Sequence, residues 1–275
     1  MIKDIVVNLG LGTQDPAGVY AISVAEMFEA HLVGIAVSYD PVIPGTVMGG
    51  VPPDVIESQR TESTQRANAA ITRFEQAAKR AGVSMETRLI AASVAGAADQ
   101  IGRIARRFDL AIVGQPARKP SLPDQVLDEG VLFESGRPVI FVPFIQTGGV
   151  KLDRIMVCWD GSRVASRAVA DSMPLLKKAK QVEIVIVSSK PAKDDELPGA
   201  DLAQHLARHG LGIGIKRITS PDTDVASIIL SYAADSSADM IVMGGYGHSR
   251  LREFVLGGVT RGLLESMTVP VLMSH

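Results

Sequence analysis

Gly244-Gly-Tyr-Gly247-His-Ser-Arg-Leu-Arg-Glu-Phe-Val-Leu-Gly257-Gly258-Val-Thr260 is the stretch that decides how this chain is read. It follows Met240-Ile-Val-Met243, an apolar run with the character of a buried strand. It leads into Arg261-Gly-Leu-Leu-Glu-Ser-Met267, which has the spacing of a helix. Glycines let a chain turn tightly and bring its backbone N–H groups close to an anion. The first turn of the following helix adds unpaired donors and the positive end of its dipole. A strand, a glycine turn and a helix start in this order point to the phosphates of a nucleotide.

Working outward, the same landmarks occur twice in the same order. Asp4-Ile-Val-Val-Asn8 answers Asp153-Arg-Ile-Met-Val157 as a first strand. Val94–Ile101 answers Val225–Ser231 as a helix, and Asp109-Leu-Ala-Ile-Val-Gly114 answers Asp239-Met-Ile-Val-Met-Gly244 as a buried strand ending in glycine. Arg137-Pro-Val-Ile-Phe-Val-Pro143 answers Val269-Pro-Val-Leu-Met-Ser274 as a last strand. Solenoid repeats are much shorter than this period, so the repetition implies two related domains. They are expected at residues 1–146 and 151–275, joined by the glycine-rich Gln146-Thr-Gly-Gly-Val150.

Within each half, β-branched strands alternate with helices. Asp15-Pro16 supplies an N-cap and a proline at the first helical position of a helix expected to reach about Ala30. Val33–Ser38 follows as a strand. Ala67, Ala70, Ile71, Phe74, Ala77, Ala78 and Ala81 then form a helical stripe. This alternation predicts an α/β chain of two tandem doubly wound domains, each a mostly parallel five-stranded sheet with helices on both faces. Ligands of such sheets sit at the carboxyl ends of the strands.

Composition narrows the function. The chain has 275 residues, 46% of them apolar, enough for packed cores. A net charge of −2 gives no reason to expect nucleic acid or an anionic membrane as partner. No run approaches the roughly 18 apolar residues of a membrane span. The start of the chain goes directly into a strand pattern without the regions of a signal peptide. Cys158 is the single cysteine, so no internal disulfide can form and a reducing cytoplasm is expected. Set in a strand, Cys158 reads as a buried, inert thiol.

On these residues the chain resembles the universal stress protein family in its tandem form, over essentially its whole length and most clearly from Asp239 to Met273. The resemblance implies a Rossmann-like domain of the adenine nucleotide alpha hydrolase type. Nucleotide-binding members of that family carry G-x-x-G, nine residues, then G-[S/T] after the fourth strand. Gly244, Gly247 and Gly257 match it in spacing and context. They also carry an aspartate where the first strand ends, here Asp160-Gly161-Ser162. The resemblance thus implies that Asp160 and the backbone near Val187 line the adenine and ribose. It places Met243 and Gly244 beside the ribose, and gives Gly247, Gly257 and the N–H groups of Gly258, Val259 and Thr260 the phosphates. Its expected ligand is ATP or AMP, with Mg²⁺ bridging the phosphates of a triphosphate. It also implies pairing of the last strands, so that a tandem chain forms an intramolecular pseudo-dimer, with a homodimer as a further expectation.

Two departures qualify this. Gly258 stands where Ser or Thr is usual, removing a hydroxyl bond to phosphate; Thr260 offers a hydroxyl nearby. In the first half, Ala117 replaces the second glycine, Pro116, Pro120 and Pro123 remove backbone donors, and Asn8-Leu-Gly10 carries no counterpart of Asp160. The first half is expected not to bind ATP in the family's manner.

The remaining features have plain readings beside functional ones. His205 and His209, with Asp201, are spaced for a metal on one helix face, but a solvated face is the simpler reading. His248, Arg250 and Arg252 lie in the glycine stretch as exposed loop residues that can reach phosphate. Asp222 and Asp224 precede a helix, where Asp224 serves as an N-cap. Trp159 reads as core packing rather than base stacking. Pro41–Pro53, apolar yet rich in Gly and Pro, is either an ordered crossover or a cover for a pocket or partner. No catalytic residue is assigned. The expected function is a cytoplasmic nucleotide-binding regulatory or protective protein acting in stress, with an unknown protein partner. The alternatives are a slow ATPase, or a nucleotide-free scaffold for a protein or apolar ligand.

Overall fold

Runs of Ile, Val and Met without polar interruption form strands covered on both faces, as parallel sheets require. Ile5–Val7 and Ile155–Val157 are each at most 1% exposed, and Met240–Val242 are fully buried. The structure is a computed structural model that describes residues 1–41, 52–115, 130–189, 198–220, 224–246 and 258–275. Its elements run β1 (Asp4–Asn8), α1 (Pro16–Phe28), β2 (His31–Tyr39), α2 (Pro53–Arg80), β3 (Met85–Ala92), α3 (Val94–Ala105), β4 (Leu110–Gly114) and β5 (Val139–Val142). The second half continues with β6 (Arg154–Cys158), α4 (Arg163–Leu176), β7 (Gln181–Ser188), α5 (Ala200–Arg208), β8 (Ile213–Thr219), α6 (Val225–Asp235), β9 (Met240–Gly244), α7 (Val259–Ser266) and β10 (Val271–Ser274).

Two compact units result. The first comprises Met1–Ser135 with Thr147–Gly149, the second Gly136–Gln146 with Val150–His275. Strand β5 therefore groups with the second unit, ahead of the junction expected at 146–150, because it pairs antiparallel with β10 through Phe141↔Val271, Ile140↔Leu272 and Val139↔Met273. Both strands are wholly buried.

In the first unit the order β3-β2-β1-β4 is parallel throughout. Helices α1 and α2 pack on each other and on β1–β3. The α2 stripe is buried at Ala67, Ala70, Phe74 and Ala78, spaced three, four and four. Phe74 lies against Gly34 of β2, where a Cβ would come within 2.7 Å of its ring. Helix α1 ends at Phe28, before the expected Ala30, because Glu29 turns left-handed (φ 51°) and its N–H closes back on Ala25. In the second unit β10, β9, β6, β7 and β8 are parallel neighbours, the same doubly wound order.

The repetition extends to individual bonds. Asp109, entering β4, accepts the backbone N–H of Lys3 and Asp4 at 2.7 and 3.1 Å. Asp239, entering β9, accepts that of Arg154 at 2.9 Å. Ser93 caps α3 through Gly96 N–H, and Asp224 caps α6 through Ser227 N–H. These landmarks repeat because each satisfies backbone donors that a parallel strand or a helix start leaves open. The Pro41–Pro53 loop lies outside the described residues between 42 and 51.

Candidate functional site

In the second unit, β6 has β7 on one side and β9 on the other, and the chain leaves β6 and β9 in different directions at their carboxyl ends. This is the switch point where doubly wound sheets open a crevice. Asp160 and Gly244 both stand there. Beyond β6, Asp160 is exposed and its Oδ1 accepts Ser162 N–H at 2.9 Å. Gly161 between them is left-handed, φ 76°. Ser162 then caps α4, its Oγ accepting Ala165 N–H at 3.2 Å. The Asp-Gly-Ser triplet therefore makes a turn that closes on itself and starts a helix in one step.

Gly244 ends β9 against the beginning of that helix. A Cβ there would come within 2.6 Å of the Ala165 nitrogen and 2.7 Å of the Val164 carbonyl carbon, both backbone atoms. The glycine of the motif is thus required by close strand–helix packing as well as by any ligand. Gly245 donates its N–H to the Ser274 carbonyl at 2.9 Å, and its own carbonyl lies 3.1 Å from His275 Nδ1. Tyr246 follows in a left-handed conformation (φ 51°), its N–H donated to Thr260 Oγ1 at 3.2 Å. Thr260 is 3% exposed, and the oxygen of the hydroxyl offered from sequence as a phosphate partner accepts that N–H at the start of the glycine stretch.

Gly258 is the N-cap of α7, with φ −59°, ψ 149° and no side-chain cap bond. Gly258 thus offers the first turn of α7, Val259 and Thr260 included, no capping side chain of its own. Met243 is 6% exposed at the end of β9. Val187 is half-buried near the end of β7, two residues beyond Val185, whose carbonyl accepts Trp159 N–H at 2.9 Å. Trp159 itself is half-buried. Gly247, Gly257, His248, Arg250 and Arg252 lie outside the described residues. The structure therefore brings the Asp160–Ser162 turn, the α4 start, Gly244–Tyr246 and the α7 start to one end of one sheet.

The first unit is built otherwise at the equivalent place. Its turn after β1 is longer and is held by Asp15, which caps α1 through Gly18 N–H at 3.0 Å. Burial pushes the Asp15 carboxyl above its ordinary range, against the lowering effect of N–H donors from Gly18 and Gly10 and of the Arg73 charge. Arg73 Nη2 also donates to the Gly12 carbonyl at 2.6 Å. This aspartate faces its own loop and helix, a structural task distinct from an exposed turn like Asp160.

Elsewhere, His205 and His209 are exposed with ring centroids 4.9 Å apart, edge to face. Among the described residues no group of three His, Cys, Asp or Glu could hold a metal ion. Asp224 is the N-cap expected, accepting Ser227 N–H at 2.9 Å; Asp222 lies outside the described residues. Burial, and secondarily the Asp160 charge, push the Cys158 thiol up to about 12. Missed from sequence was Asp171 on α4, which accepts the Ser274 hydroxyl at 2.8 Å across 103 residues. No local pattern announces so distant a pair.

The fold and this crevice define a doubly wound α/β protein in tandem, with a glycine turn and an uncapped helix start at the second switch point. A model of the universal stress protein family matches residues 151–275. A universal stress protein of Synechocystis is 41% identical over 44 residues, which is 16% of this chain and 15% of that protein. The matched stretch thus spans a small part of the curated relative's length. Among solved structures, a universal stress protein from Archaeoglobus fulgidus aligns over 98% of this chain and 95% of its own, with TM-score 0.76 and 18% identity. A candidate universal stress protein from Pseudomonas aeruginosa aligns over 99% and 93%, with TM-score 0.61 and 16% identity. Those two likenesses speak for the fold alone. Residues 151–275 are thus similar to the universal stress protein family. Among the described residues no helix is long and apolar enough to cross a membrane.

Proposed function

We propose that residues 151–275 bind an adenine nucleotide, ATP or AMP, at the carboxyl end of β6 and β9, and that the chain acts in the cytoplasm as a stress-response binding protein. The observation that carries this reading is the α7 start. Its N-cap Gly258 has no side-chain cap, and Thr260 ties the helix start to Tyr246 at the same end of the sheet as the Asp160–Ser162 turn. Such a helix end accepts anionic oxygens on its N–H groups and dipole. Gly258, Val259 and Thr260 would hold phosphate through their backbones, helped by Gly247 and Gly257 of the motif. Asp160, Val187, Met243 and Gly244 would border the sugar and base. With ATP bound, Mg²⁺ would offset charge between the phosphates.

Residues 1–146 are proposed as a degenerate domain of the same ancestry, without this site. Asp160 Oδ1 is engaged in its own turn, which favours a binder over a hydrolase. Phosphate release near the ~10 s⁻¹ typical of enzymes, lost in Asp160→Ala while ATP still binds, would replace this reading by an ATPase.

Calorimetry with ATP and AMP tests the site, together with identification of any nucleotide released on denaturing the purified protein. Wild type should bind and Gly247→Val should not, because a branched side chain obstructs the close backbone approach that the motif provides. Gly258→Ser should bind about tenfold or more tightly, since a hydrogen bond to a charged group contributes ~1.5–3 kcal/mol. Its N-cap dihedrals already suit serine. Equal affinity in wild type and the valine variant would show that the nucleotide sits elsewhere.

A further inference from the structure

Gly245, at the head of the glycine stretch, is held by the end of β10 and by His275. Gly245 is bonded on both backbone groups: its N–H to the Ser274 carbonyl at 2.9 Å, its carbonyl to His275 Nδ1 at 3.1 Å. The Nδ1–H tautomer is the one that donates there. Ser274 is 1% exposed, and its hydroxyl donates to Asp171 Oδ2 at 2.8 Å. Asp171 is held in turn by Arg167, whose Nε lies 3.6 Å from Oδ2 and whose Nη2 donates to the Gly136 carbonyl at 2.7 Å. The same helix α4 begins under Gly244, where only a glycine fits.

We propose that Ser274 and Asp171 are positioning residues for nucleotide binding: their part-buried bond fixes the end of β10 to α4, so that Ser274 and His275 hold Gly245, and with it Tyr246, at the end of β9. This rests on the nucleotide reading of the same site. The hydroxyl could have been satisfied by its own backbone, as many buried serines are. It reaches instead to a carboxylate one helix away, and a charge-assisted bond of that kind is directional and strong. The bond joins α4, whose start frames the crevice, to β10, and the residue making it carries the carbonyl that receives the Gly245 N–H. A ligand gripped by backbone N–H groups depends on where that backbone stands, since the donors cannot swing as a side chain does.

The test compares full-length wild type, Ser274→Ala, Asp171→Ala and Asp171→Asn. Amide hydrogen exchange at Gly245 and Tyr246 is read without nucleotide, and ATP affinity by calorimetry. Both alanine variants should exchange about tenfold or more faster at these two amides than wild type, with Met240–Val242 of β9 unchanged, and should lose about tenfold in ATP affinity. Asp171→Asn retains an oxygen acceptor and should recover most of both. A merely structural role would accelerate exchange throughout β9 and lower the unfolding midpoint, with no rescue by asparagine; that pattern, or unchanged exchange at Gly245 and Tyr246, overturns the proposal. If wild type binds no adenine nucleotide, the nucleotide reading and this proposal's ligand fail together, whereas the exchange pattern alone decides whether Ser274 and Asp171 position the loop.

Discussion

At the scale of single residues, environment sets chemistry. Cys158 ends β6 beside the exposed Asp160, a place where an activated thiol would have been conspicuous. Burial removes the solvation a thiolate needs, and the neighbouring carboxylate opposes a second negative charge. Against an ordinary value of 9.0, a thiol near 12 has about a thousandfold less thiolate at neutral pH. Alkylation of the native protein at pH 7 should therefore be slower than that of a free cysteine by roughly this factor. The rate should rise with pH towards about 12 and reach the ordinary value in denaturant. Labelling with iodoacetamide followed by mass spectrometry measures it; rapid native labelling at pH 7 would mean that the thiol is open and activated. Thr260 adds a detail the sequence did not carry: besides its position in the motif, its hydroxyl oxygen accepts the Tyr246 N–H.

At the scale of elements, the motif glycine Gly244 serves packing before it serves any ligand. Strand β9 approaches the first turn of α4 so closely that an added methyl would lie 2.6–2.7 Å from backbone atoms, which yield far less readily than the end of a side chain. Gly244→Ala should destabilise the second unit by about 1–3 kcal/mol through strain in a packed region. Urea denaturation measures this, and a loss below a few tenths would show that strand and helix can part. Gly34 is the contrasting case, because the clash there is with the ring of Phe74, a side chain that can shift. The same element-level view shows how the units differ at the equivalent turn while sharing a fold. The turn after β1 is organised by a half-buried N-cap aspartate, and the turn after β6 by an exposed one that accepts the N–H of its own second neighbour.

At the scale of the molecule, the question is what covers the outer edge of β10. Within the second unit that edge is met by β5, antiparallel and wholly buried. Residues 151–275 expressed alone would lack it and expose an apolar strand edge, which invites pairing with another chain. An antiparallel pairing of β10 with a second β10 is compatible with a two-fold axis. Those residues should therefore run as a homodimer or aggregate in analytical ultracentrifugation, and residues 1–146 added in trans should dissociate the dimer. A soluble monomer indifferent to that addition would show that β10 does not need its partner strand.

The sequence by itself determined the tandem repeat, the alternation of strand and helix and the parallel sheets. These rest on local signals: β-branched runs, the Ala67–Ala81 stripe, and the caps Asp15 and Asp224. It also marked Gly244, Gly247 and Gly257 as one motif, and Asp160 beside it by resemblance, because spacing along a chain survives folding. Only the tertiary structure decided which hydroxyls are spent on the fold, why Gly244 must be glycine, and that β5 serves the second unit. It alone joined Ser274 to Asp171, 103 positions apart. A chain records local preferences at each residue, but a contact between distant residues has no local mark. Which donor meets which acceptor is settled when the strands close into a sheet and the helices are laid on it.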